Sequence, residues 1–345
     1  MNSLLELVIE QLGVLMRGLL LLLVFVSMCS TSSFGFDVLP DTPPIPSNNP
    51  QTKEKVQLGK RLYFDARLSK NNKVSCNSCH NAQTSGTDNM ATSKGIDGQL
   101  GGRNAPTVLN AAYLSVQFWD GRANTLEDQA KGPIINPIEM GMPSHDAVVE
   151  KLKQIPGYVS EFKKVFGGEI NIDRIAQAIA AYERTLVTPN APFDRYMKGN
   201  KKALSPKAIR GMKLVEKIGC NSCHMGPNFA GPALPTGNGF YQKFPTFPDA
   251  AYEKKYEFSK DLGRYEVTKK EEDKNMWRVP TWRNVAITGP YFHNGKVKTL
   301  DEAVRIMAKM QLNRILKDNE VKEVVAFLGS LTGKQPRQSK PSLPN

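Results

Sequence analysis

Cys76-Asn77-Ser78-Cys79-His80 recurs, letter for letter, as Cys220-Asn221-Ser222-Cys223-His224. The pattern C-x-x-C-H reads as a site of covalent haem attachment. Two thiols with two residues between them reach the two vinyl groups of one porphyrin, and the adjoining histidine offers its imidazole to the iron from the same face. The rival uses of four cysteines are a pair of disulfides or one zinc site. Disulfides across two intervening residues are usually reactive redox devices, and a zinc site built on four thiolates would leave both histidines unexplained. The two motifs absorb four of the five cysteines and two of the four histidines.

Outward from the motifs, a chain of 345 residues has the length of about two domains, and each half carries one motif. We expect a mainly α-helical fold of two cytochrome c-like domains, 36–190 and 191–333, with 334–345 as a flexible basic tail. Residues 19–26 are an unbroken apolar run preceded by Arg17 and followed by serines, so 1–35 reads as an export signal. The run is short for a membrane span. An uncleaved N-terminal tether, with Cys29 as a lipid acceptor, is the alternative. Lys and Arg outnumber Asp and Glu by 46 to 33, a net charge of +13, which suits steering of an acidic redox partner. Export and the lack of a basic stripe interleaved with aromatics argue against nucleic acid.

Helix signals surround both motifs. A short helix is expected over 53–62. Thr125 caps a second, and further ones cover 146–154 and 171–186, before Pro189 and Pro192 mark the domain boundary. Ser205-Pro206 is a cap followed by proline at the first helical position, opening a helix to about Lys217. Thr299-Leu300-Asp301-Glu302 is a capping box for a helix to about Met310, and 318–328 is the last. The stretch from 244 to 272 carries no clear signal. With His80 and His224 as fifth ligands, the sixth ligand decides between electron transfer and reaction with oxygen species. Met307, Met276, Met310 and Met225 are all available as sulfur ligands.

Beyond the motifs, the chain resembles the bacterial di-haem cytochrome c peroxidase family, which also includes relatives that oxidise protein tryptophan, the MauG type. The resemblance runs from Gln57-Leu58-Gly59-Lys60-Arg61-Leu62-Tyr63-Phe64-Asp65 through Asn104-Ala105-Pro106-Thr107 and Gln117-Phe118-Trp119-Asp120-Gly121-Arg122. It continues with Asn136-Pro137-Ile138-Glu139-Met140, Arg278-Val279-Pro280-Thr281 and Gly289-Pro290-Tyr291-Phe292-His293-Asn294-Gly295, to the helix of Met307. It implies a periplasmic, homodimeric enzyme that reduces hydrogen peroxide with electrons from a small cytochrome c or a cupredoxin. The His80 haem would meet peroxide, and the His224 haem, with Met307 as sixth ligand, would admit and store electrons. By the same resemblance Glu139 is the acid/base group and Gln129 orients bound peroxide or water. Trp119 lies between the haems, Arg278 meets a propionate or tunes the electron-entry site, and Asn104, Thr288 and Pro290 help hold a calcium ion. The tryptophan-oxidising relatives place a tyrosine where Met307 stands, which favours the peroxidase branch. A protein-oxidising enzyme and a non-catalytic di-haem carrier are the alternatives.

One position departs from the family. Many members carry a histidine on the loop after the first motif that ligates the oxidised peroxidatic iron, and here Ile96 stands in its place. No histidine occurs between Asn81 and Ser144. We therefore expect an open or water-bound iron on His80, with Met90 as the rival ligand.

Overall fold

The computed structural model describes residues 36–345; the expected export signal or tether, Cys29 included, lies outside the described residues. Helices carry the fold. They are α1 Lys53–Phe64, α2 Cys76–Cys79, α3 Leu126–Ile135, α4 His145–Lys153, α5 Pro156–Phe166, α6 Ile172–Glu183, α7 Pro192–Met197, α8 Pro206–Ile218, α9 Ala250–Tyr256, α10 Tyr265–Thr268, α11 Leu300–Leu312 and α12 Asp318–Gly329. One antiparallel ribbon pairs β1, Tyr241–Lys243, with β2, Met276–Arg278, in the register Tyr241 opposite Arg278. No described helix is long and apolar enough to cross a membrane.

The expected helices form where their caps put them. Thr125, Ser205 and Thr299 each accept a backbone N–H from the first turn of α3, α8 and α11. Sequence signals missed α5, α7, α9 and α10. For α5 the signs were present: proline at its first position, and Tyr158 and Phe162 four apart on one buried face.

α1 packs on α6, and α8 on α12. In each pair the backbones meet at a glycine of the helix that leads to a motif. A β-carbon on Gly59 would lie 1.8 Å from the Ala178 carbonyl oxygen, and one on Gly211 would lie 1.9 Å from that of Glu323. Neither crossing tolerates a side chain. The apolar core divides accordingly. Leu62, Tyr63, Leu109, Phe162 and Ile179 pack together near the first motif, and Phe193, Val215, Phe229, Val321 and Phe327 near the second.

The two ends of the described chain cross over. Phe36 packs its ring 5.5 to 6.1 Å from those of Phe193, Phe229 and Phe327, and the Leu39 N–H donates to Asp194 Oδ1. The lead-in thus begins against residues of the second half. Residues 334–345 have no regular structure but are not loose: Arg67 donates to the Pro344 carbonyl, Tyr182 to Gln338 Oε1, and the Gly157 N–H to the Asn345 carbonyl. These contacts strap the terminal residues to donors of the first half.

An internal repeat shapes the middle of the molecule. The path of 104–126 is retraced by 278–300. Asn110 and Asn284 both adopt φ 63°, and Phe118 and Phe292 both adopt φ 68°. Bridges Gln117–Ala123 and Tyr291–Val297 close the same turn. The copies reach across to each other reciprocally: the Asn104 N–H donates to the His293 carbonyl (2.7 Å) and the Arg278 N–H to the Trp119 carbonyl (2.9 Å).

Candidate active site

Ser75 opens α2 with a reciprocal cap to Ser78, and the His80 N–H closes the turn on the Cys76 carbonyl, so both thiols and the imidazole come from one tight turn. At the second motif Gly219 (φ 90°) ends α8 and a short 3₁₀ turn does the same work, with the His224 N–H on the Cys220 carbonyl. The four cysteines are unbridged. Burial pushes the Cys76 and Cys79 thiols up, and Cys220 to about 12. These are protonated thiols, not an activated redox pair.

Each motif histidine spends Nδ1 on a carbonyl: His80 on Pro106 (2.9 Å) and His224 on Phe229 (3.1 Å). A carbonyl only accepts, so Nδ1 carries the proton and Nε2 the lone pair a metal needs. Burial lowers both pKa values, that of His224 to about 4, keeping the rings neutral. The His224 ring stacks on Trp282 with centroids 4.2 Å apart.

A cavity of about 250 Å³ opens beside the second motif, and the predicted residues Asn104, Trp119, Arg278, Thr288, Pro290 and Met307 all line it with Cys220, Cys223 and His224. Asn104 is buried, and its Nδ2 donates to the carbonyls of Met90 and Ala91, leaving Oδ1 for a cation. Among the described residues no cluster of three or more His, Cys, Asp or Glu side chains suits a metal. Trp119 Nε1 donates to the Asn104 carbonyl (2.9 Å). Asn104 lies two residues before Pro106, the acceptor for His80, so one short segment joins the first histidine to the wall of the second cavity.

Arg278 is 4% exposed and donates to the carbonyls of Phe118 and Val279. Among the described residues it forms no ion pair, and burial brings its pKa down to about 10. His293, not among the expected site residues, lines the same cavity, stacked on Trp277 at 4.0 Å with its Nε2 buried and unpartnered. It occupies Trp119's place in the repeat. Alignment of the chain with itself would have found it.

Glu139 sits on the turn after α3, half-buried, with Oε1 accepting from Asn136 Nδ2 (3.0 Å). Burial raises its pKa and the nearby Arg122 guanidinium opposes the rise. Its charge is felt at both Cys76 and Cys79, which places it by the first motif. Arg122 had been only part of a matching motif. Gln129 is half-buried on α3, with no contact that gives it a role. His145 Nε2 donates to the Lys131 carbonyl (3.0 Å). Ile96 is buried, and its N–H donates to the Ile138 and Glu139 carbonyls, so the loop that replaces the family's histidine is pinned to the Glu139 turn.

Paired thiols beside a neutral imidazole, in a buried apolar setting and twice over, are what attachment of two c-type haems requires. The comparisons agree. The profile described as di-haem cytochrome c peroxidase matches residues 53–202. The cytochrome c551 peroxidase of Nitrosomonas europaea is 46% identical over 302 residues, 87% of this chain and 86% of that protein. That of Pseudomonas aeruginosa is 46% identical over 298 residues, 86% and 83% of the two chains. A crystal structure of a MauG-like protein associated with microbial copper homeostasis superposes with a TM-score of 0.77 at 28% identity, covering 88% of this chain and 98% of that one. The chain belongs to the di-haem cytochrome c peroxidase family. It is a periplasmic enzyme that reduces hydrogen peroxide.

Membership implies two covalently attached c-type haems, and the residues fit them. The thiols are free, the imidazoles neutral and correctly tautomeric. The buried Arg278 guanidinium, without an ion pair among the described residues and in the wall of an apolar cavity, suits an anion such as a porphyrin propionate.

Proposed function

We propose that each motif histidine heads a haem crevice and that the two crevices divide the labour: the His80 crevice reacts with peroxide, and the His224 crevice takes electrons singly from a small cytochrome c or cupredoxin and stores them. The observation that carries this reading is an asymmetry in the repeat. Met307, in the cavity with His224, is the eighth residue of α11; the eighth residue of α3 is Pro133. A thioether is a soft ligand for iron, whereas proline has no atom to coordinate. The first crevice therefore keeps a place for peroxide, and Ile96, which cannot coordinate either, leaves it open in the oxidised enzyme.

When bound, the haems supply the redox-active iron and the electrons that break the O–O bond. The chain supplies the protons. Asn136 fixes Oε1 of Glu139, leaving Oε2 to accept a proton from one peroxide oxygen and return it to the other. Arg122 keeps that carboxyl from staying protonated. Trp119, hydrogen-bonded to Asn104, lies on the route between crevices, and Arg278 neutralises a propionate. Asn104 Oδ1 with the Thr288 and Pro290 carbonyls suits calcium, a hard cation that prefers oxygen, at the seam where the repeats cross. The units 36–190 and 191–333 would each enclose one haem. A homodimer completes the reading.

The test is peroxide-dependent oxidation of reduced cytochrome c, begun either from fully oxidised enzyme or from enzyme with only the higher-potential haem reduced. Equal rates without a lag are expected. Silence from the oxidised sample would mean that another group, Met90 foremost, closes the first iron.

A further inference from the structure

Glu183 ends α6 and is 6% exposed, yet its Oε2 has no hydrogen-bond partner. A buried carboxyl left this way costs free energy, and the mechanism above gives it no task. Its surroundings are specific. From α1, Tyr63 feels its charge; from α2, Cys76 feels it as the largest electrostatic influence among its neighbours. On its own helix lie Tyr182 and, one residue on, Arg184, and from α3 comes Glu127. Glu127 and Arg184 form a two-bond ion pair at 2.8 and 3.0 Å, and this pair lines a polar cleft of about 500 Å³ with Asn49, Gln117, Lys131 and Gln177. Glu183 is thus coupled on one side to the first haem motif and on the other, through Arg184 and Glu127, to the wall of that cleft.

We propose that Glu183 is a redox-linked proton site of the His80 crevice, filled from the cleft past Glu127. As one electron enters the crevice, the carboxylate takes one proton from solvent; as the electron leaves, the proton returns. Peroxide reduction consumes two protons with its two electrons, and a buried crevice that gains charge without a counter-charge is destabilised. Burial, relieved in part by Arg184 and reinforced by Glu127, already brings this carboxyl to about 8, so a change of one unit of nearby charge moves it through the working pH range.

The proposal rests on a haem at His80 but not on Glu139's role. The experiment is potentiometric titration of each haem of the holoenzyme from pH 5.5 to 8.5, in wild type and Glu183→Gln, a substitution that keeps shape and removes the ionisable group. In wild type the reduction constant of the His80 haem should change by up to tenfold per pH unit, about 59 mV for one electron, and in the variant this dependence should vanish while the His224 haem is unaffected. A flat wild-type profile, or equal slopes in both proteins, overturns the proposal. Reduction-minus-oxidation infrared spectra give a second readout that does not need the Gln variant to fold. A protonated-carboxyl band that grows on reduction, shifts in D₂O and persists in Glu139→Gln is expected, and its absence overturns the proposal as well. A holoenzyme whose visible spectrum shows one haem only would instead contradict the crevice assignment on which the proposal stands.

Discussion

Glu139 was legible only through the motif around it. Its half-burial, its tether to Asn136 and the approach of Arg122 are products of the turn after α3, which no local sequence signal specifies. Glu139→Gln should lower kcat for peroxide by about 10²–10⁴-fold, the usual worth of a general acid–base group, with both haem spectra intact. The pH profile carries a sign. Burial favours the protonated acid, so the carboxylate needed to take peroxide's proton is lost, on acidification, at a higher pH than for an exposed glutamate. Arg122→Gln removes the opposing positive charge and should move the acid limb of kcat/KM higher still; an unmoved or lowered limb would show that Arg122 does not act on Glu139. A separate residue-scale pair holds the second half together. Arg283 and Asp194, both fully buried, meet at 2.8 Å. Asp194→Ala strands the guanidinium and should cost about 3–5 kcal/mol, read by denaturant unfolding.

At the scale of elements, caps were the reliable signal. Threonine or serine followed three residues later by its backbone partner located α3, α8 and α11, because an N-cap is a local bargain between one side chain and the next turn. The glycine crossings were not legible. Gly59 and Gly211 look like weak points in helical stretches, and only the packing of α1 on α6 and α8 on α12 shows that a methyl group has no room. Gly59→Ala and Gly211→Ala should each destabilise by about 1–3 kcal/mol or more, despite alanine's better helix propensity. A rise in Tm for either would contradict the close approach. The same scale explains why α9 and the β1–β2 ribbon were missed: Tyr256 of α9 donates to Glu302 Oε1 and accepts from Asn294 Nδ2 at its carbonyl, and the Arg278 N–H of β2 donates to the Trp119 carbonyl, all partners far away in sequence.

For the whole molecule, the two C-x-x-C-H motifs made both haem sites legible, and the family resemblance named most residues that the fold then gathered at one cavity. The crossed ends were hidden. A polar, basic terminus reads as loose, yet Arg67, Gly157 and Tyr182 hold it by backbone and amide oxygens that composition does not reveal. Removal of 334–345 should lower the Tm of the holoenzyme while leaving both haems attached; an unchanged Tm would mean the strap contributes nothing. Also hidden was the repeat of 104–126 in 278–300, too diverged to catch the eye, although it aligns Trp119 with His293 and, continued into α3 and α11, Pro133 with Met307. That last pairing underlies the proposed division of labour, in which one haem site would be open and the other closed by sulfur. Low-temperature electron paramagnetic resonance of the fully oxidised holoenzyme tests it most directly. We expect one low-spin ferric haem with histidine–methionine ligation, converted by Met307→Ala, and one high-spin ferric haem that is not. Two low-spin haems, each with a protein ligand on both faces, would contradict the account.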